Sequence, residues 1–202
     1  MNQETKMHEE VQAQEKKILD SGNRRQFSSG AVRDISDDKG DTSLLPFDTI
    51  SEFAAYCENK EECQYTFSLA SMFGYVHNYQ TTHDVKFIYE LLRSFINKYF
   101  DGSLESAIIG YSKQLQGGAI KYLRLNWMLG LNTHCFLDSG LRHGLKVLRG
   151  DQDEPHDRAF IWNFMGLLWT LRHHPELDDI FYGDKFDSET IGTYHKGWSD
   201  KK

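Results

Sequence analysis

Residues 138–163 read DSGLRHGLKVLRGDQDEPHDRAFIWN, two apolar segments joined by an acidic connection. Leu137, Leu141, Leu145 and Leu148 recur at helical spacing and predict a helix over 135–148. Pro155 suits the first turn of a second helix, which is expected to run to about His173 and stop before Pro175. This second helix carries Phe160, Ile161, Phe164, Met165, Leu167, Leu168 and Trp169 on nearly every face, so it belongs at the centre of a bundle. Asp151, Asp153, Glu154, His156 and Asp157 crowd the junction between the two.

The same period recurs outward from this pair. Helices are expected after Pro46 (Phe47, Ile50, Phe53), over 63–75, over 83–100 and over 104–123, with turns at 78–82 and at Asp101-Gly102-Ser103. Gly117-Gly118 interrupts the last of these, as a kink or as a place where something approaches the backbone closely. Residues 22–46 show no period and read as a loop rich in Gly, Ser and Asp. With only 3 prolines in 202 residues and little strand-like alternation, the expected fold class is all-α, a helical bundle. The expected organisation is a polar arm or short helix over 1–22, a single all-α catalytic domain over 23–175 and a tail over 176–202.

Hydrophobic residues make up 39% of the chain and aromatics 13%, enough for a packed core. A net charge of −7 argues against general nucleic-acid or anionic-membrane binding, though a small anionic ligand needs only a local basic pocket. The cysteines, Cys57, Cys63 and Cys135, are odd in number and read as reduced thiols of a cytoplasmic protein. The N-terminus reads as polar, without an apolar leader, and no run approaches the roughly 20 apolar residues of a membrane span.

Clustered carboxylates bind hard cations through oxygen, so Asp138, Asp151, Asp153 and Glu154 are candidate ligands for Mg²⁺ or Mn²⁺. The same junction also suits a solvated acidic loop at a helix N-terminus. His156 and Asn163 lie seven residues apart on one stripe, pointing to a shared polar pocket or to two separate buried hydrogen bonders. Asp138, Arg142 and Lys146 share a face and read as an ion-pair ladder or as phosphate contacts. His143 lies about 140° round an ideal helix from Asp138, on a small face beside Gly140 and Gly144, with room for a ligand or a close helix neighbour. Lys121 and Arg124, followed by Asn126-Trp127, suit a helix C-terminus or a phosphate, with Trp127 or Tyr122 stacking on a base. Glu58, Glu61 and Glu62 form a weaker acidic run, either solvated or half of a metal site.

Three blocks in order resemble the phage-associated dATP/dGTP diphosphohydrolase (N-terminal domain) family. They are RQFSSGAVRDISDDKGDTSLLP (25–46), GGAIKYLRLNWMLGL (117–131) and LDSGLRHGLKVLRGDQDEPHDRAFIWNFMGLLWTL (137–171). The resemblance implies a MazG-like helical fold and Mg²⁺-dependent release of pyrophosphate from purine deoxynucleoside triphosphates. It carries over Arg33, Asp34 and Lys39 from the first block, and Lys121, Tyr122, Asn126 and Trp127 from the second. From the third come Asp138, Arg142, His143, Gly150, Asp151, Asp153, His156, Trp162 and Asn163. Glu154, His156 and Asp153 are then the expected catalytic groups. Arg33, Lys39, Lys121, Arg124, Arg142 and Lys146 would neutralise phosphate.

Against that pattern, a helical insertion is expected over about 53–109, Gln116 or Gly117 stands where an acidic residue is usual, and Leu129 stands where a basic one is. The implied partners are a purine deoxynucleotide and a second copy of the chain, as a dimer or tetramer, in the cytoplasm of a host cell if the gene is a phage's. Two other readings stay open. One is an HD-type dNTP phosphohydrolase with metal on His156, Asp157, His134 and Asp178. The other is a non-catalytic helical module that binds a nucleotide or a protein.

Overall fold

A computed structural model describes residues 22–35, 38–59 and 66–180, and the chain divides into two compact units, 1–37 and 38–202. In the first unit Arg24–Gln26 (β1) pairs antiparallel with Val32–Asp34 (β2), in the register Arg24↔Asp34, Arg25↔Arg33 and Gln26↔Val32. Gly30, at φ 87°, closes the turn by donating to the Phe27 carbonyl. The sequence predicts a loop here. Three-residue strands exposed on both faces carry no apolar alternation, so nothing in the pattern announces them.

Among the described residues the second unit holds six α-helices: Phe47–Glu58 (α1), Leu69–Thr82 (α2), Lys86–Tyr99 (α3), Leu104–Tyr122 (α4), Thr133–Arg149 (α5) and His156–His173 (α6). The all-α bundle expected from the sequence is therefore the observed class. α6 is buried nearly all round and packs against α1, α3, α4 and α5. Phe160 stacks on Phe95 at 4.0 Å between centroids and meets Phe67 edge-on.

Helix α2 runs through 78–82, where a turn was expected. Tyr79 is fully buried there, and the Thr81 and Thr82 hydroxyls donate to carbonyls one turn back, so tertiary packing overrides weak local propensity. The helix ends at His83, which adopts a left-handed conformation. Ser68 caps its start with a reciprocal Ser71 bond, and residues 60–65, with Glu61, Glu62 and Cys63, lie outside the described residues. α4 passes through Gly117-Gly118 as one continuous helix.

Helices α5 and α6 approach closely because glycines face aromatic rings. A Cβ on Gly140 would lie 2.8 Å from a Phe164 ring carbon, one on Gly144 2.9 Å from Phe160, and one on Gly166 2.6 Å from Phe136. The small face beside His143 is therefore filled by a neighbouring helix. Gly150, at φ 86°, ends α5 by donating to the Lys146 and Val147 carbonyls, and the chain turns back into α6.

The segment after α6 folds onto the N-terminus of α5, where Asn132 provides no side-chain cap. Asp179 supplies the missing acceptor: its carboxylate accepts from the His134 backbone N–H at 2.9 Å, from the Asn132 amide at 2.9 Å and from the Thr133 hydroxyl at 3.1 Å. Its second oxygen lies 2.5 Å from His134 Nδ1. Asp178 pairs with His83. Burial pushes the Asp179 pKa up, but the hydrogen bonds from His134 and Asn132 outweigh it and hold the carboxyl below its usual value. A carboxylate with a depressed folded-state pKa stabilises above its unfolded pKa and loses that contribution as pH falls through the folded one. Asp179→Asn should therefore cost about 1 kcal/mol near neutrality. In urea titrations at several pH values, the gap between wild type and variant should close below about pH 4. A gap that stays constant down to strong acid would show that Asp179 does not cap α5.

Candidate functional site

The C-terminal half of α4 presents two adjacent ridges, Lys113–Gly117–Lys121 and Gln114–Gly118–Tyr122, each at four-residue spacing. Both ridges line a cavity of about 740 Å³, within the size range of small-molecule sites. Trp127, Trp162, Asn126, Arg158 and Glu154 line its other sides. A Cβ on Gly117 or Gly118 would meet nothing within 4 Å. No packing requirement accounts for either glycine, although each costs helix stability. What they create is a flat, open stretch of helix on the cavity wall.

The cavity is apolar with cations at its edges. Trp127 is 9% exposed, and its indole Nε1–H is buried without a hydrogen-bond partner among the described residues. On the rim, Leu123 and Leu125 adopt positive φ (81° and 60°), conformations that cost a non-glycine residue energy. Arg124 between them is anchored away from the cavity wall, bonded to Asp41 at 2.9 Å and to Ser43 at 2.5 Å. The Ser43 hydroxyl first, and then the Arg124 guanidinium against partial burial, hold the Asp41 carboxyl below its usual range.

Glu154 leads from the cavity to a second group of side chains. His143 Nδ1 lies 2.9 Å from His156 Nδ1, and Glu154 Oε1 lies 3.4 Å from His156 Nδ1 and 3.7 Å from His143 Nδ1. His156 is 2% exposed, and its Nε2 lies 2.7 Å from Asp153 Oδ1. Lys146 Nζ donates to the other Asp153 oxygen at 2.8 Å. Among the described residues two sets of three could hold a metal ion, His143–Glu154–His156 and Asp151–Asp153–His156, and both include His156. Desolvation pushes the His143 pKa down, with the nearby His156 adding to it and Glu154 opposing it. The Lys146 ammonium and the His156 ring hold the Asp153 carboxyl far below its usual value.

The cavity wall thus includes Lys121, Tyr122, Asn126, Trp127 and Glu154, all expected from the sequence. His143, Lys146, Asp153 and His156 gather beside it. Asp138, Asp151 and Asn163 are engaged by partners of their own. Asp138 is exposed and paired with Arg142 at 3.0 Å, the ion-pair ladder reading. Asp151 is held by Arg149, whose Nε donates at 2.7 Å and whose hydrogen bond keeps the carboxyl ionised below its usual range. Asn163 is buried with its amide donating to the Ala159 carbonyl at 2.8 Å, and its Cβ faces Gly140 between the helices, so it shares no pocket with His156. Lys39 is exposed in the turn before Gly40, and Arg33 lies on β2 in the first unit.

Lys113, Gln114 and Arg158 are cavity residues that the sequence reading passed over. The four-residue ridges through the glycine pair, and an arginine in the first turn of an otherwise apolar helix, were the available signals. The HD-type set does not converge. His134 and His143 are nine residues apart on α5, about 13 Å along the axis, and His134 and Asp178 serve the contacts around the α5 N-terminus.

Residues 83–180 match the family dATP/dGTP diphosphohydrolase, N-terminal. The matched stretch is just under half of the chain's length. The matched stretch holds the two later sequence blocks and every side chain of the His143–His156 cluster; the block at 25–46 lies outside it. No curated protein and no solved structure matches the chain. No helix among the described residues is long and apolar enough to cross a membrane.

Two glycine-to-alanine changes separate open helix surface from packed surface. Gly117→Ala should raise stability by up to about 1 kcal/mol in urea denaturation, since the new methyl meets open space. Gly140→Ala should lower it by about 1–3 kcal/mol, because the methyl would press on Phe164. The same sign for both would show that Gly117 is a packing residue after all.

Proposed function

We propose that the protein hydrolyses purine deoxynucleoside triphosphates to monophosphate and pyrophosphate with the help of a bound divalent cation. The observation that carries this reading is the double position of Glu154, on the wall of the cavity and within hydrogen-bonding range of the His156 ring. The family match supports the substrate class, since its description names dATP and dGTP.

The cavity has what a nucleotide needs. Trp162 and Tyr122, with the accessible part of Trp127, offer flat faces for a purine. The glycine pair lets a base or sugar lie against α4. Lys113, Lys121 and Arg158 supply positive charge for the triphosphate. Hydrolysis forms a bond from a water oxygen to the α-phosphorus and breaks the bond from that phosphorus to the bridging oxygen, which leaves with pyrophosphate. Glu154, half exposed at the edge of the cavity, is placed to take the proton of that water. Asp153 and Lys146 fix the His156 ring beside it. His143, Glu154 and His156 would hold the divalent cation, which would supply charge neutralisation and a more acidic water.

The test is to incubate the full chain with a panel of dNTPs and Mg²⁺ or Mn²⁺ and to separate the products by chromatography. Monophosphate and pyrophosphate from dATP or dGTP are expected, and Glu154→Gln should lower turnover by about 100-fold or more. Tripolyphosphate and nucleoside would establish HD-type chemistry instead. Thermal stabilisation by nucleotide without turnover would make the domain a binding module.

A further inference from the structure

The metal expected from the sequence is Mg²⁺ or Mn²⁺ on four carboxylates, Asp138, Asp151, Asp153 and Glu154. The structure gives three of those carboxylates to cations of the protein itself: Asp138 to Arg142, Asp151 to Arg149 and Asp153 to Lys146. Glu154 faces two imidazole nitrogens instead, His143 Nδ1 at 3.7 Å and His156 Nδ1 at 3.4 Å. The converging donors are therefore two nitrogens and one oxygen. Mg²⁺ takes oxygen ligands and keeps much of its water, whereas imidazole suits the first-row transition ions and zinc. Two histidines with one carboxylate is a recurrent donor set for those ions.

We propose that His143, Glu154 and His156 form a site for a nitrogen-preferring divalent ion of the Fe²⁺, Co²⁺ or Zn²⁺ class, selected over Mg²⁺, with Asp153 orienting His156. The spacing of the donors fits. An ion about 2.1 Å from each of two nitrogens holds them about 3.0 Å apart at a right angle and about 3.4 Å apart at a tetrahedral one. The two Nδ1 atoms are 2.9 Å apart. Asp153 completes the arrangement in a way an acidic cluster alone would not. His156 Nε2–H donates to Asp153 Oδ1 at 2.7 Å, which leaves the Nδ1 lone pair directed at the other donors. A carboxylate behind a ligating histidine fixes the tautomer and the ring plane. Lys146 keeps that carboxylate in place by holding its second oxygen. The two histidines come from different helices, so the donor set exists only because α5 and α6 pack closely at Gly140 and Gly144.

This inference deepens the reading above by naming the cation class of the same site, and its test does not use turnover. Full-length protein stripped with a chelator is titrated with Co²⁺, and the visible absorption of nitrogen-ligated Co²⁺ is followed. Zn²⁺ should displace the signal, and millimolar Mg²⁺ should leave it in place. His143→Ala, at a partly exposed position, should abolish the band while the far-ultraviolet circular dichroism and melting profile of the metal-free protein stay those of a folded helical domain. Asp153→Asn should weaken Co²⁺ binding by about 10- to 100-fold. Displacement by Mg²⁺, or an unchanged spectrum and affinity in His143→Ala, would overturn the proposal. Histidine-ligated Co²⁺ without dNTP hydrolysis would leave this site standing and remove the function proposed above. Hydrolysis with Mg²⁺ alone and no imidazole-ligated Co²⁺ would do the reverse.

Discussion

The contact on which the site depends is the close approach of α5 to α6. Gly140 and Gly144 on one helix and Gly166 on the other leave room for Phe164, Phe160 and Phe136, so the backbones come nearer than ordinary side chains would allow. Aromatic rings set against glycine give a packed seam with little rotational freedom. At one end of that seam, Gly150 turns the chain back within a few residues. The first residue of α6, His156, is thereby placed beside His143, two turns from the end of α5.

The site differs in kind from the seam. Its cations and carboxylates are mostly satisfied by near neighbours in sequence: Arg149 with Asp151, Arg142 with Asp138, Lys146 with Asp153. Exposed pairs of this sort contribute little to stability. Their effect here is on which groups remain to face a ligand. Once they are drawn off, Glu154 is the carboxylate that meets both the histidines and the cavity. The cavity in turn owes its open wall to residues that stabilise nothing: two glycines in a helix interior and two leucines in left-handed backbone conformations.

The periodicity of α5 and α6 was legible because a buried helix must repeat its apolar residues, and Leu137, Leu141 and Phe160 do so. The acidic junction and Trp127 were legible as chemistry for the same reason, since ionisable or amphipathic groups stand out between apolar runs. Which carboxylate faces which partner was not. Asp138 and Arg142 are four apart on one helix and could be paired by eye, but the Lys146–Asp153 contact crosses a turn whose geometry only Gly150 fixes. His143 was rightly separated from Asp138 by angle, yet its meeting with His156 is a long-range event set by Gly140 and Gly144. The hairpin was hidden because two three-residue strands with no buried residue leave no pattern. Arg158 was hidden because its place on the cavity wall depends on how α4 packs against α6, which its position in the sequence does not show.

The clasp between His83 and Asp178 has a consequence for where the folded unit begins. The family-matched stretch begins at His83 and ends at Ile180, which is buried, so its two ends lie side by side. One ion pair thus ties the two ends of the stretch together, while the chain that precedes it, α1 and α2 included, still supplies Phe53, Phe67 and Met72 to the same core. The stretch is latched at its ends without being free-standing: cutting the chain before His83 would strip Phe67 from Phe160 and open the centre of the bundle.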